Sequence, residues 1–307
     1  ASRRIGEIGV LTASLFVAGT TYMLVPFVSH ALLLAVVAFL LGLGLGAGTV
    51  CLLESCDRRV KVPEHVALGL TMPLLGVIPR LRRLARLHQG GHICAYRDPS
   101  APESDAFRNL RASLLGVASP KGGPIVSLLV TSAKPGEGKS TTALNLAATC
   151  ARSGERTLLM EVDLRRPSLA GVFEPAHDFG LVDALKGELP WQRTVVRTEV
   201  PNLDYMSCGD PRGVPVEALG TLEMRQLLAA VSAHYHRVIL DGPAILGLAD
   251  GSMLGRLVDG ALLVVRCGAH DLSPLQRAKG MLELSKVPLV GAVFNALAED
   301  LHNWSSY

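Results

Sequence analysis

The most constraining feature of this sequence is a glycine-rich loop between an apolar strand and an apolar helix. Residues 125–132 read IVSLLVTS, which is typical of a strand buried on both faces of a parallel sheet. The loop AKPGEGKST follows over residues 133–141 and leads into the apolar helical run TALNLAATCA. A strand, a loop of this kind and a helix, in that order, predict a P-loop that wraps its backbone around nucleotide phosphates.

The residue types in this loop suit phosphate binding. Glycines let the backbone wrap closely, so that its N–H groups point at phosphate oxygens. Lys139 supplies positive charge to the β- and γ-phosphates, Ser140 offers a hydroxyl to Mg²⁺, and Thr141 reaches the α-phosphate. We therefore predict an ATP site with Mg²⁺ as cofactor, formed by Lys134, Gly136, Glu137, Gly138, Lys139, Ser140 and Thr141.

The start of the loop departs from the common pattern. Ala133 stands where that pattern has its first glycine. Lys134 lies five residues before Lys139, which is the position of the signature lysine in the deviant P-loops of Min/Par-type ATPases, where it reaches across a dimer. The alternative interpretation of Lys134 is an exposed loop lysine.

Acidic residues end two further apolar strands. Residues 157–163 read TLLMEVD, and because alternate residues of a strand share a face, Glu161 and Asp163 point the same way. Residues 237–241 read RVILD, a Walker B pattern in which Asp241 binds Mg²⁺ through water. One carboxylate holds the metal while another accepts a hydroxyl proton. We expect catalysis by Lys139, Glu161, Asp163 and Asp241, and Mg²⁺ binding, partly through water, by Ser140, Asp163 and Asp241.

Two more apolar strands, at 261–265 and 289–294, complete an alternation of strands and helical segments. This alternation predicts a P-loop NTPase of the α/β class, with a mostly parallel sheet flanked by helices and a helix within 100–124 ahead of the sheet. Asn295 ends the last strand, and its amide can read the edge of a purine base, since it offers both a donor and an acceptor. A turn residue is the alternative for Asn295.

The N-terminal part of the chain has the composition of a membrane segment. Residues 31–53 are 23 uncharged residues, about 34 Å of helix, which is enough to cross a bilayer core. Residues 8–28 are also uncharged and either form a first spanning helix, which we favour, or a strand of an extracytoplasmic domain. We expect one or two transmembrane helices within 1–60.

Positive charge is concentrated beside this apolar segment. Residues 1–100 hold ten Lys or Arg and five Asp or Glu, whereas the remaining residues hold 20 and 22. The slightly acidic remainder argues against a nucleic-acid partner. We expect residues 61–100 to be a basic juxtamembrane linker, in contact with membrane lipid or serving as a solvated connector. Residues 101–300 are then the P-loop domain on the cytoplasmic side, and 301–307 a C-terminal tail.

Several motifs together resemble the bacterial tyrosine kinases, the cytoplasmic part of polysaccharide co-polymerases. SAKPGEGKST (132–141) matches their P-loop, EVDLRRPSL (161–169) their Walker A′ motif and VILDGPA (238–244) their Walker B motif. VPVEALG (214–220) is similar to their PxELL segment and VPEHVALGLTMPLLGVIP (62–79) to their membrane-to-kinase connector. The segment with Asp105, Arg108 and Arg111 resembles their oligomerisation helix, ExxRxxR.

This resemblance implies a membrane-anchored tyrosine autokinase that transfers the γ-phosphate of ATP to tyrosines on a neighbouring subunit of a homo-oligomeric ring. It also implies a partnership with the polysaccharide polymerisation and export machinery, and regulation of capsule or exopolysaccharide export. A Min/Par-type ATPase switch that uses Lys134, and an ATP-binding scaffold without kinase activity, are the alternatives.

The sequence departs from the family pattern at a few positions. Glu161 replaces the usual first aspartate of Walker A′, and Asp105 replaces the glutamate of the oligomerisation motif. Asp105, Arg108 and Arg111 share one helix face and form either an interaction edge of the ring or surface pairs within one chain. Of the family's C-terminal tyrosine cluster, the given sequence contains Tyr307, so either the chain is cut inside the tail or phosphorylation has few targets. We predict Tyr307 to be the phosphoacceptor.

Overall fold

The computed structural model describes residues 12, 14–17, 19, 31–56, 60, 62–80, 93–169, 171–173, 179–212, 214–246, 250–269 and 271–297. The chain divides into two compact units, Ala1–Arg58 and Arg59–Tyr307.

The first unit contains the long apolar helix α1, Ala31–Cys56. Its 26 residues span about 39 Å at 1.5 Å per residue, and the large apolar side chains described between Val36 and Leu52 are exposed. In the described part of the chain, α1 is the helix whose length and composition allow it to cross a bilayer. Most of the expected helix at 8–28 lies outside the described residues.

The second unit is built on one eight-stranded sheet. The strands are β1 (Leu74–Pro79), β2 (Ser127–Ser132), β3 (Thr157–Glu161), β4 (Val195–Arg197), β5 (Leu203–Met206), β6 (Arg237–Ala244), β7 (Gly260–Arg266) and β8 (Leu289–Leu297). Their order is β1-β8-β7-β2-β6-β3-β5-β4, and every pairing is parallel except that of β4 with β5. The predicted α/β class with a mostly parallel sheet is therefore confirmed.

Helices cover both faces of this sheet. They are α2 (Pro63–Leu70), α3 (Cys94–Arg97), α4 (Pro102–Leu115), α5 (Lys139–Arg152), α6 (Leu181–Leu185), α7 (Leu222–His234), α8 (Asp250–Gly255) and α9 (Leu272–Leu284), with 3₁₀ turns at Trp191–Arg193 and Val216–Gly220. Proline opens both α2 and α4, where its fixed φ suits the first helical turn and its missing N–H has no partner to lose.

Alternate residues of the central strands belong to two different apolar layers. In β3, Leu158 and Met160 pack into one layer, while Leu159 packs into the other. All three side chains are fully buried, which explains why these strands have continuous apolar sequences. Because the neighbouring strands are parallel, their carboxyl ends lie at the same end of the sheet, which holds for β2, β3, β6, β7 and β8. Apolar layers bury both faces of the sheet.

Part of the segment expected to be a linker belongs to this core. Strand β1 pairs with β8 along its length, and α2 packs against α9 and the sheet, with Val66 and Leu70 buried. The physical reason is that LLGVIP is an apolar run whose prolines lie at its borders, so it can add an edge strand. The basic positions 82, 83 and 86 lie outside the described residues.

Candidate active site

The P-loop follows β2 at the carboxyl edge of the sheet and continues into α5. Gly136 and Gly138 adopt left-handed φ values of +82° and +94°, which other residues adopt only under strain. At Gly138 a side chain is also excluded by space, since a Cβ there would lie 2.0 Å from Nδ2 of Asn295. The loop thus takes the wrapped backbone that a phosphate cradle requires.

Lys139 reaches back from the first turn of α5 towards the acids of β3 and β6. Its Nζ lies 2.9 Å from Oδ2 of Asp163, 3.9 Å from Oδ1 of Asp241 and 3.4 Å from Oγ of Ser140. These four residues, separated in sequence, form one cluster in which the side chains of Lys139, Asp163 and Asp241 are nearly or fully buried.

Asp241 is the most deeply buried acid of this cluster. It lies on β6, where it pairs with Glu161 of β3 and Val130 of β2. Burial raises the pKa of Asp241 to about 7, while Lys139 and the nearby Ser140 lower it in part. Neither carboxylate oxygen accepts a hydrogen bond of normal geometry from the described residues, although both are buried.

This donor set fits Mg²⁺. A fully buried carboxylate without a hydrogen-bond donor is a costly arrangement in a folded protein unless a cation occupies the site. Asp241, Asp163 and Ser140 together offer the hard oxygen ligands that Mg²⁺ prefers, while leaving room for water and phosphate oxygens.

Glu161 has a different environment from the one that a catalytic acid needs. Its Oε1 accepts hydrogen bonds from the backbone amides of Ser168 and Leu169, the latter at 2.7 Å. Its Oε2 accepts a hydrogen bond from the hydroxyl of Tyr205 at 2.9 Å. The carboxylate is fully buried, and both of its oxygens are engaged within the chain. Glu161 lies at the carboxyl end of β3, as predicted, but its carboxylate bonds to the loop that follows the strand.

Two residues that sequence reasoning missed extend this network. Ser168 donates a hydrogen bond from its hydroxyl to Oγ of Ser140, at 2.8 Å. Tyr205, on β5, is held as a donor because burial and the adjacent Glu161 raise its pKa well above the usual range. Ser168 lies inside the EVDLRRPSL motif, so its position was a usable signal, whereas nothing in the sequence marks Tyr205.

A cavity of about 670 Å³ opens beside this cluster. Backbone and side chains of the P-loop line one wall, and Asp163, Arg165 and Arg166 line another. Of the three acids Glu161, Asp163 and Asp241, Asp163 is the one that lines the cavity. The cavity therefore combines P-loop backbone with positive side chains and the carboxylate of Asp163.

The other flank of the P-loop is fixed by the ends of β7 and β8. Asn295 donates from Nδ2 to the carbonyl oxygen of Glu137 at 2.9 Å, and Arg266 donates to the carbonyl oxygen of Gly136 at 2.8 Å. A second cavity, of about 410 Å³, lies here between the loop and residues 266–269. Asn295 thus contacts the P-loop backbone directly, and its expected contact with a purine base stays a prediction.

The remaining P-loop residues stabilise the loop from within. Glu137 is buried and accepts a hydrogen bond from the amide of Lys134 at 3.1 Å, and burial raises the pKa of Glu137. The carbonyl of Lys134 accepts a hydrogen bond from the hydroxyl of Ser132 at 2.8 Å, and the Lys134 side chain is half-buried. Ser140 and Thr141 lie in the first turn of α5 and line the cavity.

The residues of the expected oligomerisation edge are engaged in two different ways. Asp105 and Arg108 form an exposed ion pair on α4, and Arg108 also donates to the carbonyl of Pro99. Arg111 instead donates through Nε and a terminal nitrogen to Glu155, which also pairs with Arg237. Asp105 and Arg108 are accessible to a neighbouring subunit, whereas Arg111 is committed within its own chain.

Burial excludes two of the tyrosines as phosphoacceptors. The Tyr205 hydroxyl is bonded to Glu161, and the Tyr235 hydroxyl is bonded to Oδ2 of Asp204 at 2.8 Å. Both side chains are buried, so neither can enter an active site in the folded protein. Tyr96 is half-buried, and Tyr307 lies outside the described residues.

Comparisons with known proteins agree with this geometry. Residues 128–303 match the model of the CobQ/CobB/MinD/ParA nucleotide binding domain. The chain is 32% identical over 216 residues to the tyrosine-protein kinase YwqD of Bacillus subtilis, covering 70% of this chain and 90% of that protein. It is 28% identical to the tyrosine-protein kinase Etk of Escherichia coli strain K12, covering 89% of this chain but 39% of that protein.

The comparison with solved structures also finds tyrosine kinases. The kinase domain of the Escherichia coli tyrosine kinase Etk superposes with a TM-score of 0.72 at 26% identity, covering 78% of this chain and 96% of that domain. The P-loop and the acids of β3 and β6 agree with these matches. The matches show that the chain belongs to the bacterial tyrosine kinases, within the CobQ/CobB/MinD/ParA nucleotide binding domain family.

Proposed function

We propose that this protein is a membrane-anchored, ATP-dependent tyrosine autokinase. The observation that carries the proposal is the cluster of Lys139, Ser140, Asp163 and Asp241 beside a cavity walled by the P-loop. The membership of the chain in the bacterial tyrosine kinases supports the choice of a tyrosine hydroxyl as acceptor.

The residues of the cluster divide the work of phosphoryl transfer. The P-loop amides and Lys139 bind the β- and γ-phosphates of ATP, and Thr141 contacts the α-phosphate. Ser140 and Asp241 would hold Mg²⁺, and Asp163 would contribute through water, so that its carboxylate can also accept a proton. When bound, Mg²⁺ neutralises charge on the phosphate oxygens. Glu161 holds the loop at 168–169 and is not available to accept a proton from the substrate.

The proposed reaction needs one group in the cavity that accepts the proton of the tyrosine hydroxyl. The tyrosine hydroxyl oxygen forms a bond to the γ-phosphorus, the bond from that phosphorus to the β-γ bridging oxygen breaks, and ADP leaves. The hydroxyl proton passes to the carboxylate of Asp163, which lines the cavity. Little base strength is needed, because phosphoryl transfer proceeds through a loose transition state that is stabilised mainly by positioning and charge.

The acceptor is a tyrosine on a neighbouring copy of the chain. Burial of Tyr205 and Tyr235 removes them from consideration, and we retain Tyr307 as the phosphoacceptor. Helix α1 would anchor the protein in a bacterial inner membrane, with the kinase unit in the cytoplasm and the basic juxtamembrane residues near lipid. A ring of copies would regulate capsule or exopolysaccharide polymerisation and export.

The test uses the full chain of 307 residues in detergent micelles with Mg-ATP, and measures phosphotyrosine and free phosphate together. Lys139→Met should abolish phosphotyrosine. The control is Lys121→Met, because Lys121 is an exposed lysine whose Nζ donates to the carbonyls of Arg256 and Val258 and does not line the cavity. Phosphotyrosine in the control but not in Lys139→Met supports the kinase, and Tyr307→Phe then tests the acceptor.

Two outcomes would overturn the proposal. Full phosphotyrosine in Lys139→Met would show that the P-loop does not supply the phosphate. Release of phosphate without phosphotyrosine, also on an added Glu/Tyr copolymer, would indicate an ATPase switch of the Min/Par class. In that case Lys134→Ala should abolish nucleotide-dependent dimerisation.

A further inference from the structure

The loop that follows β3 is attached to the sheet by one buried acid and one buried tyrosine. Glu161 receives the amides of Ser168 and Leu169 on one oxygen and the hydroxyl of Tyr205 on the other. The Tyr205 side chain is 3% exposed, and its ring also contacts Phe173, with centroids 4.8 Å apart. Tyr205 therefore contacts both Glu161, the last residue of β3, and Phe173, further along the loop.

Ser168 connects this loop to the metal and phosphate site through its hydroxyl. Ser168 donates to Oγ of Ser140, the P-loop residue that offers its hydroxyl to Mg²⁺. A continuous path of hydrogen bonds therefore runs from Tyr205 through Glu161 and the Ser168 backbone to Ser140. Groups that orient metal ligands in this way affect metal affinity strongly, although they do not touch the ion.

We propose that Tyr205 is a positioning residue of the phosphotransfer site: through Glu161 and Ser168 it fixes the orientation of the Ser140 hydroxyl towards Mg²⁺. The inference rests on the proposed function of the same site, and it adds a role for Tyr205 and a reason for the buried glutamate. Tyr205 acts as a donor to Glu161, because burial and the neighbouring carboxylate raise the pKa of its phenol.

The chain offers a matched control. Tyr235 is also buried, and its hydroxyl also donates to a carboxylate, that of Asp204, at 2.8 Å. Asp204 has no contact with the P-loop cluster in the hydrogen bonds of the described residues. Tyr205→Phe and Tyr235→Phe therefore remove the same kind of bond, one inside the path and one outside it.

The first measurement follows the binding of a fluorescent, non-hydrolysable ATP analogue to the full chain as Mg²⁺ is titrated. Tyr205→Phe should raise the Mg²⁺ concentration for half-maximal binding about tenfold, while Tyr235→Phe leaves it unchanged. Ser168→Ala, an exposed substitution with little risk to folding, should produce a shift of similar size. The double variant should shift no further than the larger single variant, because both act on one path.

The second measurement needs no ligand. Amide hydrogen exchange at Ser168 and Leu169, whose N–H groups are bonded to Glu161, should be faster in Tyr205→Phe than in wild type or Tyr235→Phe. If Tyr205 only stabilised the fold, both tyrosine variants would melt earlier with unchanged Mg²⁺ dependence and unchanged relative exchange. That result would overturn the inference. Failure of the wild type to bind the analogue would instead count against the proposed function, and exchange would still test Tyr205.

Discussion

Nζ of Lys139 lies 2.9 Å from Oδ2 of Asp163, and the two side chains are only 10% and 7% exposed. The P-loop lysine therefore neutralises the charge of Asp163 and approaches Asp241 at 3.9 Å. If the proposed function holds, the phosphates of bound ATP would compete with Asp163 for the positive charge of Lys139. This ion pair makes the P-loop lysine important to stability as well as to phosphate binding.

Lys139→Met should consequently lower the stability of the ligand-free protein in addition to abolishing phosphotyrosine. Removing one partner of a buried ion pair leaves an uncompensated charge, which costs about 3 kcal/mol in the free energy of unfolding. Lys139→Arg keeps the positive charge and should lose much less stability. Thermal unfolding without nucleotide, at one pH for all variants, measures both effects. A Lys139→Met melting temperature equal to that of wild type would contradict the ion pair.

Asp241→Asn, unlike Lys139→Met, should stabilise the ligand-free protein at alkaline pH. Burial raises the pKa of Asp241 from 3.8 to about 7, so between those values the folded state binds a proton that the unfolded state releases. The wild type therefore gains stability as the pH falls from about 7 towards 4, and the ionised carboxylate destabilises it above about 7. Asparagine removes that destabilisation because it carries no charge.

The expected result is a higher melting temperature for Asp241→Asn than for wild type at pH 8, with the difference shrinking towards pH 5. Melting should be recorded in a chelator, since Mg²⁺ would stabilise the wild type selectively. The same variant should lose Mg²⁺-dependent nucleotide binding. A wild type that melts above Asp241→Asn at pH 8 would show that Asp241 is not destabilised by its burial.

The central strands and the P-loop were predictable from sequence, because they are buried on both faces and their apolar runs are continuous. The expected strand at 157–163 is observed as Thr157–Glu161, and that at 237–241 as Arg237–Ala244. The edge strand β1 was missed, since its short run between two prolines resembles a connector. The short strands β4 and β5 have mixed polarity and carry no comparable signal.

The candidate site was predictable as a set of residue types, and less so as a set of contacts. Strand periodicity places Glu161 and Asp163 at the same edge, but it does not show where each carboxylate finds its donors. Glu161 bonds to the amides of the loop and to Tyr205, 44 residues away on another strand. Such a contact depends on tertiary packing, so the spacing of residues in the sequence does not predict it.

Asn295→Ala should weaken the binding of ATP and GTP by the same factor. The Asn295 amide donates to the Glu137 carbonyl, so its loss loosens the P-loop backbone that both nucleotides contact. The loss of one such bond corresponds to about 1 kcal/mol, or roughly fivefold in affinity. Equilibrium titration with the two nucleotides at saturating Mg²⁺ measures the ratio. A loss confined to ATP would instead support base recognition by Asn295.

Arg108→Ala should shift the protein towards monomer without a measurable change in stability. Arg108 pairs with Asp105 on the exposed face of α4, and an exposed pair of this kind contributes at most about 1 kcal/mol within a chain. Arg111→Ala provides the contrast, because it removes the partly buried bonds to Glu155 and should reduce the free energy of unfolding by about 2 kcal/mol. Sedimentation of the full chain in detergent, with thermal unfolding of the same samples, separates the two effects. An Arg108→Ala chain that sediments like wild type would exclude this face of α4 from the assembly, whatever the Arg111 variant does.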